Sequence, residues 1–339
     1  GVLGCWEEER VQASCDEVVL AVRGGSVELS VKMRLKGCDS VGVLCVLTYV
    51  PVVLIVGIIV SVYTTAVISL TADVGTDDRA HSPLKLVLFH VLLMSTIVNF
   101  LLSVFVDPGR VPPSWRTEII PPNTRDDDVI DELLYGRSTL VDDDGVVQGR
   151  VQRDRYCLPC KAWKPERCHH CRSCGRCVLK MDHHCVFINN CVGFYNQKFF
   201  LLFIISGFFG CLFAMLQSAT LFASLVGGTL STEDERHKIF DNALVDSPQL
   251  LYVLFTFGWI LSLTMTLTLS IFSCFHIYLL VRNQTTLETW TPRNKSFSLG
   301  AVKNIRSVLG ARAWTWLLPM RISVPGNGVD FGAGAYEDV

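Results

Sequence analysis

The chain has 339 residues, half of them hydrophobic, and a formal net charge of -2. A mean hydropathy of +0.38 is too high for an ordinary water-soluble protein, and the near-neutral charge offers nothing to a nucleic-acid backbone. Of its 14 cysteines and 8 histidines, eight cysteines and four histidines crowd between Cys157 and Cys191.

From the N-terminus, residues 1–40 are mostly polar and show no signal-peptide pattern. Apolar and polar residues alternate on either side of Gly24-Gly25, in Val18-Val19-Leu20-Ala21-Val22 and Val27-Glu28-Leu29-Ser30-Val31, which predicts a small hairpin. Four stretches lack charged side chains for long enough to cross a bilayer, which needs about 20 apolar residues. They run over 41–70, 86–106, 199–226 and 250–281. Between and around them, Lys and Arg number five in 1–40, one in 71–83, fourteen in 107–198, two in 227–249 and seven in 282–339. The positive-inside rule then places both termini and the cysteine block in the cytosol. Reduced, metal-binding thiols belong on that side too.

Residues 107–155 are rich in Pro and Asp, with Asp126-Asp127-Asp128 and Asp142-Asp143-Asp144, and read as a solvated linker. In the third span Ser206, Gly207 and Gly210 suit close helix packing, or room for a bound chain. Asn99 and His276 are polar groups at membrane depth; hydrogen bonding between helices is the ordinary reading and a functional role the other. Thr264, Thr266 and Thr268 alternate as in a strand, but their long uncharged setting predicts helix. The Gly- and Pro-rich end of the tail reads as frayed.

The cysteine block writes one ligand pattern twice. The first copy is Cys157, Cys160, His170 and Cys177; the second is Cys171, Cys174, His184 and Cys191, offset by fourteen residues. Each is a closed set of three thiolates and one imidazole, as a structural zinc requires. Disulfides or catalysis alone would explain neither the histidines nor the spacing. The same offset carries Cys171 onto Cys185, which no third site uses. Cys185 is therefore a free thiol beside Asp182 and His183. His183 can take its proton, Asp182 can orient the imidazole, and the thiolate is the reacting species. The first copy has Cys168 where the second has Asp182, and its Cys171 is spent on metal.

Asp182-His183-His184-Cys185 in this frame resembles the DHHC family of protein S-acyltransferases. So do Lys164-Pro165-x-Arg167, Asn190-Cys191-Val192-Gly193, Asn196 and Phe200. Asp107-Pro108-Gly109 is similar to that family's DPG motif, Thr285-Thr286-Leu287-Glu288 to its TTxE motif, and Asn304 to its C-terminal Asn. Val186-Phe187 replaces the usual Pro-Trp, and Cys168 is an additional thiol. The likeness covers about 41–310.

The resemblance implies an all-α integral membrane protein: four transmembrane helices with a small cytosolic two-zinc cysteine-rich domain between helices 2 and 3. Its divisions are a cytosolic segment at 1–40, helices 1 and 2 at 41–106 and a linker with the DPG motif at 107–155. The zinc domain at 156–198, helices 3 and 4 at 199–281 and a cytosolic tail at 282–339 complete them. The family implies that a long-chain acyl group passes from acyl-CoA, such as palmitoyl-CoA, to Cys185, and then to a Cys of a membrane-associated substrate protein. CoA is anionic, and the module is basic at Arg155, Lys161, Lys164, Arg167, Arg172, Arg176 and Lys180. The resemblance favours Arg155, Lys164, Arg167 and His169 as headgroup contacts, solvated surface charge being the competing reading. The alternative is a membrane-anchored zinc module of RING type. That module ends on a second CxxC, absent after Cys191, and leaves no spare Cys beside His and Asp.

Overall fold

A computed structural model of the chain describes residues 19–23, 26–30, 49–71, 82–113, 115, 156–227, 248–290, 296–320 and 326–331. The predicted hairpin forms from β1 (Val19–Arg23) and β2 (Ser26–Ser30), antiparallel with Arg23 opposite Ser26. Most of the predicted linker, including Arg155, lies outside the described residues.

Among the described residues, four helices are long and apolar enough to cross a membrane: α1 (Val50–Thr71), α2 (Ser82–Phe105), α3 (Gln197–Val226) and α4 (Pro248–Arg282). Helix is the form that satisfies every backbone group within the segment when no water is at hand. The first predicted span starts at 41, whereas α1 starts at Val50. Large apolar side chains such as Val53, Leu54, Val91 and Ile271 face outward, as a lipid-facing surface requires. α3 is central, packed on α2 and α4, and α1 packs against α3 and α4.

Small and hydroxylated residues set these contacts. Gly258 of α4 approaches α1 so closely that a Cβ would strike Thr65 Oγ1 and Ser61. Thr96 of α2 donates to Ser206 Oγ of α3 at 3.1 Å. Thr264, Thr266 and Thr268 lie in helix, each donating to the carbonyl four residues back. Asn99 departs from the interhelical expectation: its amide donates to Ser95 on its own helix.

Between α2 and α3 the described residues form three two-stranded antiparallel hairpins: β3 (Tyr156–Cys157) with β4 (Ala162–Trp163), β5 (His169–Cys171) with β6 (Arg176–Val178), and β7 (His183–Cys185) with β8 (Asn190–Val192). The fourteen-residue repeat is visible in their register. His170 pairs with Cys177, and His184 with Cys191.

The family-like motifs join this module to the helices. The Asp107 carboxylate accepts from the Gly109 N–H and from Arg176. Pro108 O accepts from Tyr195 N–H and Gly109 O from Leu179 N–H. A Cβ on Gly193 would lie 2.7 Å from Pro108 O, so only glycine fits that approach. The Asn190 amide donates to the carbonyls of Ser103, Val104 and Val106, capping the end of α2.

After α4 come short α5 (Thr286–Trp290) and amphipathic α6 (Ala301–Leu309). Asn304 of α6 donates to Val281 O and accepts from Leu299 N–H, bracing the end of α4. The expectation of a frayed tail is corrected at 326–331. Val329 and Phe331 are buried against Leu179 and Phe194 of the cysteine-rich module, because Gly328, at φ 74°, lets the backbone press on the Phe194 ring.

Candidate functional site

Both metal-ligand sets assemble. Cys157, Cys160, His170 and Cys177 bring their ligand atoms within 4.8 Å of one another, as do Cys171, Cys174, His184 and Cys191. In the second set His184 Nδ1 stands 3.6 Å from Cys171 Sγ, 3.5 Å from Cys174 Sγ and 3.6 Å from Cys191 Sγ. Zinc with bonds of ~2.3 Å to sulfur and ~2.0 Å to nitrogen has tetrahedral edges of that size. Two zinc ions therefore fit the residues present, and closed sets leave no metal position for chemistry.

Strand alternation explains why adjacent histidines part company. Successive side chains in a strand point to opposite faces. On β7, His184 faces the second metal set, so His183 and Cys185 face the helices. On β5, His170 faces the first set, while Cys171, the repeat-mate of Cys185, joins the second. Cys185 is 8% exposed and packs with Phe100, Ile188, Val192, Phe200 and Leu280. The thiol thus sits at the edge of an apolar core built mainly from α2, α3 and α4.

Asp182, His183 and Cys185 form one hydrogen-bonded unit. His183 Nδ1 lies 2.6 Å from Asp182 Oδ2, and its ring also hydrogen-bonds the Cys185 thiol. Thr286 supplies two further donors to Asp182, N–H to Oδ1 and Oγ1–H to Oδ2, each at 2.8 Å. Burial raises the Asp182 pKa, but His183 and the Thr286 N–H bring it below the ordinary carboxylate value. Burial opposes the His183 imidazolium, yet Asp182 and Cys185 outweigh that and lift it to about 9. Burial likewise opposes the Cys185 thiolate; the His183 bond and charge, with the N–H groups of Phe187 and Ile188, bring the thiol below its ordinary value. The arrangement favours a thiolate–imidazolium pair, a ready nucleophile.

The expected basic face is divided: Lys161 and Arg172 stand exposed, while other members turn inward. The Arg167 side chain is 0% exposed: Nε and Nη2 donate to the two Glu288 oxygens at 2.7 and 2.8 Å, and Nη1 and Nη2 to Asn283. A desolvated guanidinium needs such partners, which a surface headgroup contact would leave unmet. Lys180 is buried, and Arg176 is bound to Asp107. Lys164 and His169 remain half-buried.

His276, polar at membrane depth in the sequence, proves to be a neighbour of the site. His276 of α4 is buried among Phe200, Phe272 and Phe275, its ring 5.8 Å from that of His183. Its depth in the fourth span was the signal; its direction was not readable. Val186 and Phe187, in place of Pro-Trp, are exposed beside the thiol.

Among the described residues, four apolar helices with a two-metal cysteine-rich module between the second and third define a polytopic membrane protein, with the Cys185 thiol where module and helices meet. Residues 150–293 match the DHHC palmitoyltransferase family. The chain is 32% identical to probable protein S-acyltransferase 13 of Arabidopsis thaliana, over 73% of this chain and 75% of the relative. It is 34% identical to probable protein S-acyltransferase 12 of the same plant, over 81% and 88%. With human palmitoyltransferase ZDHHC20 the identity is 32%, over 84% and 77%. The chain belongs to the DHHC palmitoyltransferase family.

Proposed function

We propose that this protein S-acylates cysteines of membrane-associated proteins, taking a long-chain acyl group from acyl-CoA and carrying it on Cys185. The observation that carries this reading is the Asp182–His183–Cys185 unit, held by Thr286 and seated against the transmembrane core. The Cys185 thiolate attacks the thioester carbonyl, the carbon–sulfur bond to CoA breaks, and the departing thiolate takes the proton of the His183 imidazolium. Neutral His183 then removes the proton of an incoming substrate thiol. That thiolate attacks acyl-Cys185, and the Cys185 thiolate leaves beside a recharged His183. Asp182 stabilises the charged imidazole throughout. Zinc supplies structure alone.

Each CH2 of an acyl chain gains about 0.8 kcal/mol in an apolar medium, so a thiol on the core's edge lets the chain lie among the helices while CoA stays in water. Arg155, Lys164 and His169 are assigned to the CoA phosphates, and Arg167 to bracing the site. The module and both termini are assigned to the cytosol, where acyl-CoA is available.

The test is purified protein in detergent given a series of acyl-CoA lengths. A hydroxylamine-sensitive acyl thioester is expected on Cys185; its absence at every length overturns the reading. Gly207 packs against Leu269 and Thr96, whereas a Cβ on buried Gly210 would meet nothing within 4 Å. Gly210→Phe is therefore expected to shift preference towards shorter chains in the same series. A uniform fall at all lengths would assign Gly210 to helix packing.

The pH dependence follows from the signs above. Cys185 titrates below its ordinary value and His183 at about 9. Between the two, the ion pair is intact. Self-acylation is expected to fall on the acid side as the thiolate gains a proton, and above about pH 9 as the imidazolium loses the proton destined for CoA. Initial rates across a pH series check both limbs.

A further inference from the structure

We propose that the returning segment 326–331 is a clamp on the reactive centre, with Phe331 as a positioning residue that holds Arg167, and through it Asp182, in place. This rests on the acyl-transfer reading and adds to it an element far along the chain. The Arg167 guanidinium lies in the corner of two edge-to-face rings, 4.6 Å from the Phe297 centroid and 5.1 Å from that of Phe331. Its donors run to Glu288 and Asn283. Cation–π faces and charged edges together fix a planar cation in all three dimensions.

Two routes lead from Arg167 to Asp182. Through side chains, Glu288 Oε2 accepts from Arg167 and from the Thr285 N–H, and the adjacent Thr286 gives both its donors to Asp182. Through the backbone, Arg167 O accepts from the N–H of Met181, the residue before Asp182. Arg167 itself has φ 61°, a left-handed conformation costly for a side chain with a Cβ. Such a conformation persists where its surroundings over-determine it, and Phe331 is part of those surroundings.

The segment is built to press there. Phe331 is 5% exposed, and Val329 is buried with it against Leu179 and Phe194. Asn327 Oδ1 accepts from the N–H groups of Val329 and Asp330, closing a tight turn before the aromatic ring.

The experiment separates the ring from the burial. Phe331→Leu keeps apolar volume but removes the π face; Phe331→Trp keeps the face. In full-length protein in detergent, the second-order rate of Cys185 alkylation by iodoacetamide is read at the peptide level, beside self-acylation by palmitoyl-CoA, zinc content and Tm. Phe331→Leu is expected to slow both reactions about thirtyfold, the size of one desolvated cation–π contact of ~2 kcal/mol, with zinc and Tm kept. Phe331→Trp is expected to stay near the unsubstituted rates. Unchanged rates in Phe331→Leu overturn the clamp, as does a loss confined to zinc or Tm. Should the unsubstituted protein fail to self-acylate, the acyl-transfer reading fails, while alkylation still reports on the clamp.

Discussion

Cys185→Ser is expected to abolish self-acylation and transfer, by at least about a thousandfold, while two zinc ions per chain and the thermal stability are kept. A serine hydroxyl in the same pocket is far less acidic than a thiol, so His183 cannot hold it as an anion. Nothing else at the site changes, because Cys185 belongs to neither metal set. His183→Ala is expected to behave alike: metal kept, chemistry lost, since the thiol then faces burial without the imidazolium that lowers its pKa. Acyl transfer measured with palmitoyl-CoA, beside elemental analysis of the same samples, checks both. Surviving thioester formation in Cys185→Ser would move the nucleophile elsewhere.

Breaking a metal set is expected to have the larger structural effect. Cys191→Ser and His184→Ala each remove a ligand from the second set, and structural zinc contributes on the order of 10–16 kcal/mol to small modules of this kind. The strands are two or three residues long, too short for the hairpins to hold without their staple. Both variants are expected to lose zinc, to unfold the module at lower temperature and to lose activity as a consequence. Cys168→Ala is expected to keep both ions, since Cys168 lies outside both ligand sets. Zinc lost from His183→Ala and kept in His184→Ala would reverse the division between base and ligand.

That division was legible because it rests on spacing alone. A fourteen-residue offset separates His184 from His183 on paper, and strand alternation separates them in space. The four spans were legible because lipid imposes a length and a composition. Long-range side-chain direction was not. Arg167 reads in the sequence as a surface cation for the acyl-CoA headgroup; only its meeting with Glu288 and two phenylalanines from other segments turns it inward. The tail reads as frayed because Gly326, Gly328 and Pro325 suggest looseness. Gly328 instead permits a close approach to Phe194 that no side chain allows. Asn99 and His276 were recognised as polar at membrane depth, but a sequence does not say which way a helix is turned.

The Asn190 cap has a consequence for substrate choice. Asn190 pairs across the hairpin with Cys185, and its amide grips three carbonyls at the end of α2. The thiol is thereby tied by a few bonds to the rim of a membrane-spanning helix and cannot ride up or down with a mobile domain. Under the proposed reaction the protein works as a depth gauge. A cysteine is reached when its own anchor or neighbouring span sets it at the matching height, whatever residues flank it, and one held a few turns further into the cytosol is passed over.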